Sequence, residues 1–207
     1  VTAAFYFLSK TQFMTITNET LQNLANDLRL QDNQIGEHVH VLGSKENRYI
    51  KDLRINISNA LNFPQLSKKE SYLLALAVAI NDKATTLIPT LKALAVENGA
   101  VEDDLIETVS CVSLLNINNV FYRFRHFTKK EAYNSPAGIK MSVMGNPVMG
   151  KEFFELMSLA VSALNGCEMC VASHEASLIK MGMSEAKIYE AIKLAAIFRG
   201  LTAINFN

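Results

Sequence analysis

The apolar residues of this chain recur at helical spacing, and one long stretch of that pattern is laid down twice. Displaced by 83 residues without a gap, Leu73, Leu76, Ala77 and Val78 fall on Leu156, Leu159, Ala160 and Val161. Ala93 falls on Ala176, Gly99 on Gly182, Glu102 on Glu185 and Glu107 on Glu190. Two amphipathic hairpins share some Leu and Ala by chance. Alignment of the two glycines that end equivalent helices favours a true duplication. No strand-rich segment competes, and 9 Gly and 4 Pro in 207 residues disfavour a turn-dense β architecture. The expected fold is therefore all-α and internally duplicated. It is a single domain over residues 14–207, with structural repeats at about 67–123 and 150–206.

Along the chain, Leu21, Leu24, Ala25 and Leu28 follow the i, i+3, i+4, i+7 rule behind the N-cap candidates Thr17 and Asn18. Residues 37–62 read as one or two further helices, halted by Pro64. Ser67 and Glu70 have the spacing of a capping box and open a helix to about Asn81. Another helix runs from about Thr86 to Asn98, and a long one from near Glu102 to about Arg123. Residues 129–150, with Pro136, Gly138, Gly145, Pro147 and Gly150, read as a connecting loop containing a short extended piece. Residues 1–13 are unlike the rest and read as an appendage, with Met14 as the expected natural start.

The longest apolar run, Tyr72 to Ile80, has nine residues, whereas a bilayer span needs about 20. The N-terminal stretch lacks the basic region of a signal peptide, so a cytoplasmic protein with reduced thiols is expected. Twenty basic side chains balance twenty acidic ones, which disfavours nucleic acid as a partner.

The two copies differ in chemistry. Tyr72, Ala84, Leu87 and Leu91 of the first correspond to Glu155, Cys167, Cys170 and His174 of the second. The first copy reads as scaffold and the second carries the reactive groups. Asn165-Gly166 breaks one helix, and another starts at or just before Cys167 and runs to about Met181. On that helix Cys167, Cys170 and His174 form one stripe. The i, i+3 spacing of the cysteines permits a small-ring disulfide, and His174, at i+4 from Cys170, can take a thiol proton. A helix N-terminus and a nearby imidazole both favour thiolate. A redox-active dithiol is the leading reading. A zinc site stays open as the second: it needs a fourth ligand, and His126 is the remaining histidine in a plausible partner helix. An inert buried pair is the third. By helix position alone, Cys167 is the favoured nucleophile. Cys111 has no partner in sequence and reads as core filler. Glu155, between Phe154 and Leu156, reads alone as an edge residue, but a fold-back at Asn165-Gly166 brings it within reach of His174 or a cysteine, where it can shuttle protons.

The run Phe154–Cys167 followed by Cys170 and His174-Glu175 resembles the alkylhydroperoxidase D family, within the carboxymuconolactone decarboxylase-like superfamily. So do Asn118–Arg123, Met141–Pro147 and Lys51–Ser58, and the resemblance extends over nearly everything from Met14 onward. Its signature is Glu, eleven residues, C-x-x-C, three residues, His. The resemblance implies a duplicated helical bundle, usually a homotrimer, that reduces organic hydroperoxides through its dithiol. It implies no bound cofactor and no metal. Electrons come from dihydrolipoamide groups on a lipoylated protein, and alkylhydroperoxide reductase C, a peroxiredoxin, is an implied partner. By position, Cys170 takes the role of attacking cysteine, Cys167 that of proton donor and resolving cysteine, and Glu155 with His174 that of proton relay. Some members carry histidine immediately before the second cysteine; this chain has Met169.

Two alternatives remain beside the peroxidase. One is a carboxymuconolactone-decarboxylase-like lyase, which uses no cysteine. The other is a non-enzymatic thiol–disulfide adaptor or sensor. Association is also expected. Zero net charge gives little repulsion, and the terminal helix, Ile188 to Phe206, is apolar on more than one face. Its first stripe is Ile188, Ala191, Ile192, Ala195 and Ala196; Leu194, Phe198, Leu201 and Ile204 spread beyond it.

Overall fold

The computed structural model describes residues 18–205, so the expected appendage, Met14, Thr17 and Phe206 lie outside the described residues. Regular structure among the described residues is entirely helical: α1 (Glu19–Asp27), α2 (Glu37–Ser44), α3 (Arg48–Ala60), α4 (Lys68–Asn81), α5 (Ile88–Glu97), α6 (Glu102–Thr128), α7 (Lys151–Leu164), α8 (Glu168–Lys180) and α9 (Glu185–Thr202). The 83-residue offset lays α4 on α7, α5 on α8 and α6 on α9.

The capping box forms as its spacing requires. The Glu70 backbone N–H donates to Ser67 Oγ at 3.2 Å, and the Ser67 N–H donates to Glu70 Oε2 at 2.8 Å. Behind it, Leu73 through Ala79 are each no more than 1 % exposed. A helix buried on every face needs cover on every side, and one repeat has too few helices to supply it. The repeats therefore interlock: α4 packs on α5, α6, α7 and α9, and α7 on α4, α6, α8 and α9. Each central helix lies against the third helix of both copies.

Two buried carboxylates tie the interlock. Glu107 on α6 accepts the Val148 and Met149 N–H groups at 2.7 and 2.6 Å, just ahead of α7. Glu190 on α9 accepts the Gln65 N–H at 2.8 Å, just ahead of α4. The offset that carries Glu107 onto Glu190 also carries Gln65 onto Val148. Each repeat thus fixes the entry to the other's first helix. Buried charge needs such donors to offset its lost hydration.

Helices α1–α3 form a flank. Asn18 caps α1 by accepting the Leu21 N–H, and α3 lies on α9. The buried Asn205 side chain accepts the Gly36 N–H at 2.8 Å and donates to Gln34 O and Thr86 Oγ1, stapling the chain's end to this flank.

Three expectations need correction. The long helix α6 continues past Arg123 to Thr128, where Lys129 takes φ 51° and ends it. The connector forms single 3-10 turns at Glu131–Tyr133 and Ser142–Met144 with no strand, since regular structure among the described residues is helical and offers no extended edge to pair with. The last helix spans Glu185–Thr202 rather than Ile188–Phe206, and its extra apolar face is covered within the same chain by α3. Ile188, Ala191, Leu194, Ala195, Phe198 and Leu201 are all buried; Ala196 is exposed. The uncovered apolar surface lies instead on α6, where Ile106, Val109, Ile117, Val120, Phe124 and Phe127 are each 43–69 % exposed at helical spacing.

Glu70 also joins the repeats, because Lys187 Nζ of α9 donates to its Oε1 at 2.6 Å. Burial opposes ionisation here, yet Lys187 and the Ser67 N–H and hydroxyl hold the carboxyl below its ordinary value of 4.5. A depressed folded-state pKa stabilises the fold above the ordinary value, and the gain is lost as pH falls through the folded value. Glu70→Gln keeps the cap but loses the charge, and is expected to cost roughly 1–2 kcal/mol at pH 7. Thermal melts of both proteins from pH 7 downward check this: the difference should shrink below the ordinary carboxylate pKa.

Candidate active site

The site is built where α7 ends. Asn165 is the C-cap of α7, and Gly166 follows with φ 66°, the left-handed conformation that ends helices and suits glycine. The Gly166 N–H donates to Ala163 O at 3.1 Å and the Cys167 N–H to Ser162 O at 3.1 Å, which closes a Schellman motif. The carbonyl of Cys167 then accepts the Val171 N–H at 2.9 Å as the first bond of α8. Cys167 is thus the last residue of one helix end and the N-cap of the next helix.

Cys167 and Cys170 are joined by a disulfide, with Cα atoms 5.2 Å apart. Cys167 is fully buried. Cys170 opens on a cavity of about 380 Å³ lined by Asn118 and Tyr122 of α6, Met141 and Met144 of the connector, and Met169, Ser173 and His174 of α8. The fold-back at Asn165-Gly166 sets α7 against α8, and His174 Nδ1 lies 2.8 Å from Glu155 Oε1. Their side chains are 10 % and 14 % exposed, so Glu155 is a partly buried partner and not an edge residue. The structure therefore gathers all four sequence-derived candidates, Glu155, Cys167, Cys170 and His174.

His126, considered as a fourth ligand, lies instead 3.2 Å from Glu168 Oε2. No cluster of three or more His, Cys, Asp or Glu among the described residues could hold a metal ion. Cys111 is buried between α6 and α7, with Sγ 3.6 Å from Ser158 Oγ. Burial pushes its thiol up to about 12, which outweighs the opposing Ser158 contact.

Reading the first copy as scaffold missed half of this site. On α6, Asn118 and Tyr122 line the cavity, while Asn119 and Arg123, each one position further on, hold the α7–α8 turn. Asn165 Nδ2 donates to Asn119 Oδ1 at 3.0 Å, and Arg123 Nη1 donates to the Asn165 carbonyl at 2.6 Å. The signal available in sequence was the resemblance over Asn118–Arg123, whose polar residues fall on two adjacent α6 lines. The connector's Met141 and Met144 enter only because the loop folds back over α8.

A neutral, buried thiol does not alkylate at an appreciable rate. After full reduction, native protein should therefore release Cys111 to iodoacetamide only on unfolding, while Cys170, which opens on the cavity, reacts first. Peptide mass mapping before and after denaturant checks the order.

The carboxymuconolactone decarboxylase family model matches residues 131–206, the span of the connector and α7–α9. A protein of Rhodopseudomonas palustris (strain BisB18) named alkyl hydroperoxide reductase AhpD is 37 % identical over 154 residues, 74 % of this chain and 84 % of its own length. A protein of the same name from Coxiella burnetii (strain RSA 493 / Nine Mile phase I) is 37 % identical over 161 residues, covering 76 % and 90 %. One from Maricaulis maris (strain MCS10) is 36 % identical over 159 residues, covering 75 % and 90 %. With relatives at 36–37 % identity and more than two thirds of each covered, the chain belongs to the AhpD family of carboxymuconolactone decarboxylase-like proteins.

Proposed function

We propose that this protein is a thiol peroxidase that reduces organic hydroperoxides at the Cys167–Cys170 pair. The observation that carries the reading is a cysteine pair at a helix N-terminus, one member open to a cavity beside a buried His–Glu contact. The names of the relatives agree with it.

Cys170 is assigned the attack. It lines the cavity, whereas Cys167 is fully buried, so access outweighs the position nearer the helix end that favoured Cys167. The Cys170 thiolate attacks the distal oxygen of the hydroperoxide and the O–O bond breaks. The alcohol leaves with a proton passed through His174 and Glu155 or Cys167, and Cys170 becomes a sulfenic acid. Cys167 displaces hydroxide from that sulfur, water leaves, and the disulfide closes. Dihydrolipoamide groups on a lipoylated protein reopen it by thiol–disulfide exchange. The same dithiol serves an alkylhydroperoxide reductase C-type peroxiredoxin as its partner. This chemistry assigns the protein to the reducing cytoplasm, and no helix among the described residues is long and apolar enough to cross a membrane.

Turnover of cumene hydroperoxide with dihydrolipoamide tests the reading. Cys170→Ser should abolish it, and Cys167→Ser should leave a dimedone-reactive sulfenic acid on Cys170. Glu155→Gln and His174→Gln should each slow the peroxide step by roughly 10- to 1,000-fold, the range for loss of a proton-transfer group. A lyase would be indifferent to Cys170→Ser. An adaptor would exchange disulfides without consuming peroxide.

The same reading includes a homo-oligomer, with a trimer as the family form. The exposed apolar row Ile117, Val120, Phe124 and Phe127 of α6 supports it, since soluble monomers seldom leave such a row in water. Light scattering should give a multiple of the 22.9 kDa chain mass, and Val120→Glu with Phe124→Glu should shift it toward one chain.

A further inference from the structure

We propose that the first repeat sets the redox equilibrium of the cysteine pair, with Asn119 and Arg123 as positioning residues that clamp the turn carrying Cys167. The inference rests on the dithiol–disulfide cycle proposed above.

Cys170 lies one turn inside α8, whereas Cys167 is its N-cap and is tied to that helix only through its carbonyl. Its φ and ψ are −94° and 88°, outside the helical region, so the turn decides where its sulfur lies. That turn is gripped from the other copy. Arg123 Nη1 donates to the Asn165 carbonyl at 2.6 Å. Asn165 Nδ2 donates to Asn119 Oδ1 at 3.0 Å, and Asn81 Nδ2 donates to Asn165 Oδ1 at 3.1 Å. Asn119 Nδ2 then donates to Ser162 Oγ at 3.0 Å, on the same residue whose carbonyl accepts the Cys167 N–H. Asn119 itself is 1 % exposed.

The first copy carries the mirror of this clamp without the chemistry. Asp82 caps α4, Lys83 takes Gly166's place with φ 58°, and the Ala84 N–H donates to Ala79 O where Cys167 donates to Ser162 O. Thr202, at Asn119's place on α9, donates its hydroxyl to Asp82 Oδ2 at 2.5 Å. The duplication thus supplies an internal control: two similar clamps, of which one holds a sulfur.

Oxidation removes two electrons and two protons from the pair and forms the S–S bond. In the dithiol, the freedom of Cys167 is the entropy that closing the bond must remove. A clamp that removes it beforehand favours the disulfide. Loosening the clamp frees the dithiol, while the disulfide form stays tied through its own bond. Loss of the clamp is therefore expected to shift the equilibrium toward the dithiol.

The test equilibrates full-length protein with mixtures of reduced and oxidised dithiothreitol, then counts free thiols by alkylation and mass spectrometry. Asn119→Leu and Arg123→Met are each expected to shift the equilibrium constant about tenfold toward the dithiol, about 30 mV in midpoint. Arg123→Lys, which keeps a donor, should recover part of the shift. Thr202→Val should lower the melting temperature with the midpoint within about twofold of wild type in equilibrium constant, since the clamp it breaks holds no sulfur. Should Asn119→Leu not fold, the half-buried Arg123 carries the measurement. An unmoved midpoint in the clamp variants, or an equal shift in Thr202→Val, overturns the clamp alone. A wild-type pair that never interconverts overturns the dithiol–disulfide cycle and the clamp with it.

Discussion

The structure depends on the need to cover two helices that are apolar all round. Nearly every side chain of α4 from Ser71 to Ala79, and of α7 from Phe153 to Ser162, is buried. Neither helix can be stable as part of one three-helix repeat, because such a repeat leaves a side open to water. Interlocking the copies removes that side for both at once. Because a core of this kind is close-packed, the relative placement of the two copies is set to within a side chain's fit.

The geometry of the cysteine site follows from the interlock. The helix ends that emerge from between the copies are held by polar groups of the opposite copy: Asp82 by Thr202 and Arg199, Asn165 by Asn119 and Arg123. One of these ends presents Ala84 and the other presents Cys167. The same packing sets Glu155 against His174, so the imidazole that faces the Cys170 cavity is oriented by a carboxylate from a neighbouring helix. Orientation by such a partner leaves the other ring nitrogen available for proton exchange.

Position along a helix and access to a ligand are different quantities, and the two cysteines separate them. Cys167 is nearer the positive end of α8 but is fully buried, while Cys170 is one turn further in and opens on the cavity. That cavity is largely soft and apolar, with Met141, Met144 and Met169 on its wall. Met169 precedes Cys170, so His174 with Glu155 is the imidazole–carboxylate pair this cavity has at hand.

Much of this was legible in the residues. Periodicity determined the helices, the Ser67–Glu70 spacing determined a cap, and the 83-residue offset determined which helices are equivalent. The stripe Cys167, Cys170, His174 was legible because it lies on one helix, where a fixed 100° step converts spacing into direction. Contacts that cross between elements were not. No local rule joins Glu155 to His174, Asn119 to Asn165, or Glu107 to Val148; each depends on how two copies of the pattern pack together. The same limit explains α9, whose excess apolar face pointed to a partner until α3 of its own chain covered it. Sequence by itself determined the elements and the reactive groups, because backbone hydrogen bonding and side-chain periodicity are local. Only the tertiary structure decided which cysteine meets the cavity and which residues of the unreactive copy hold the turn that carries the other, because burial belongs to the packed whole.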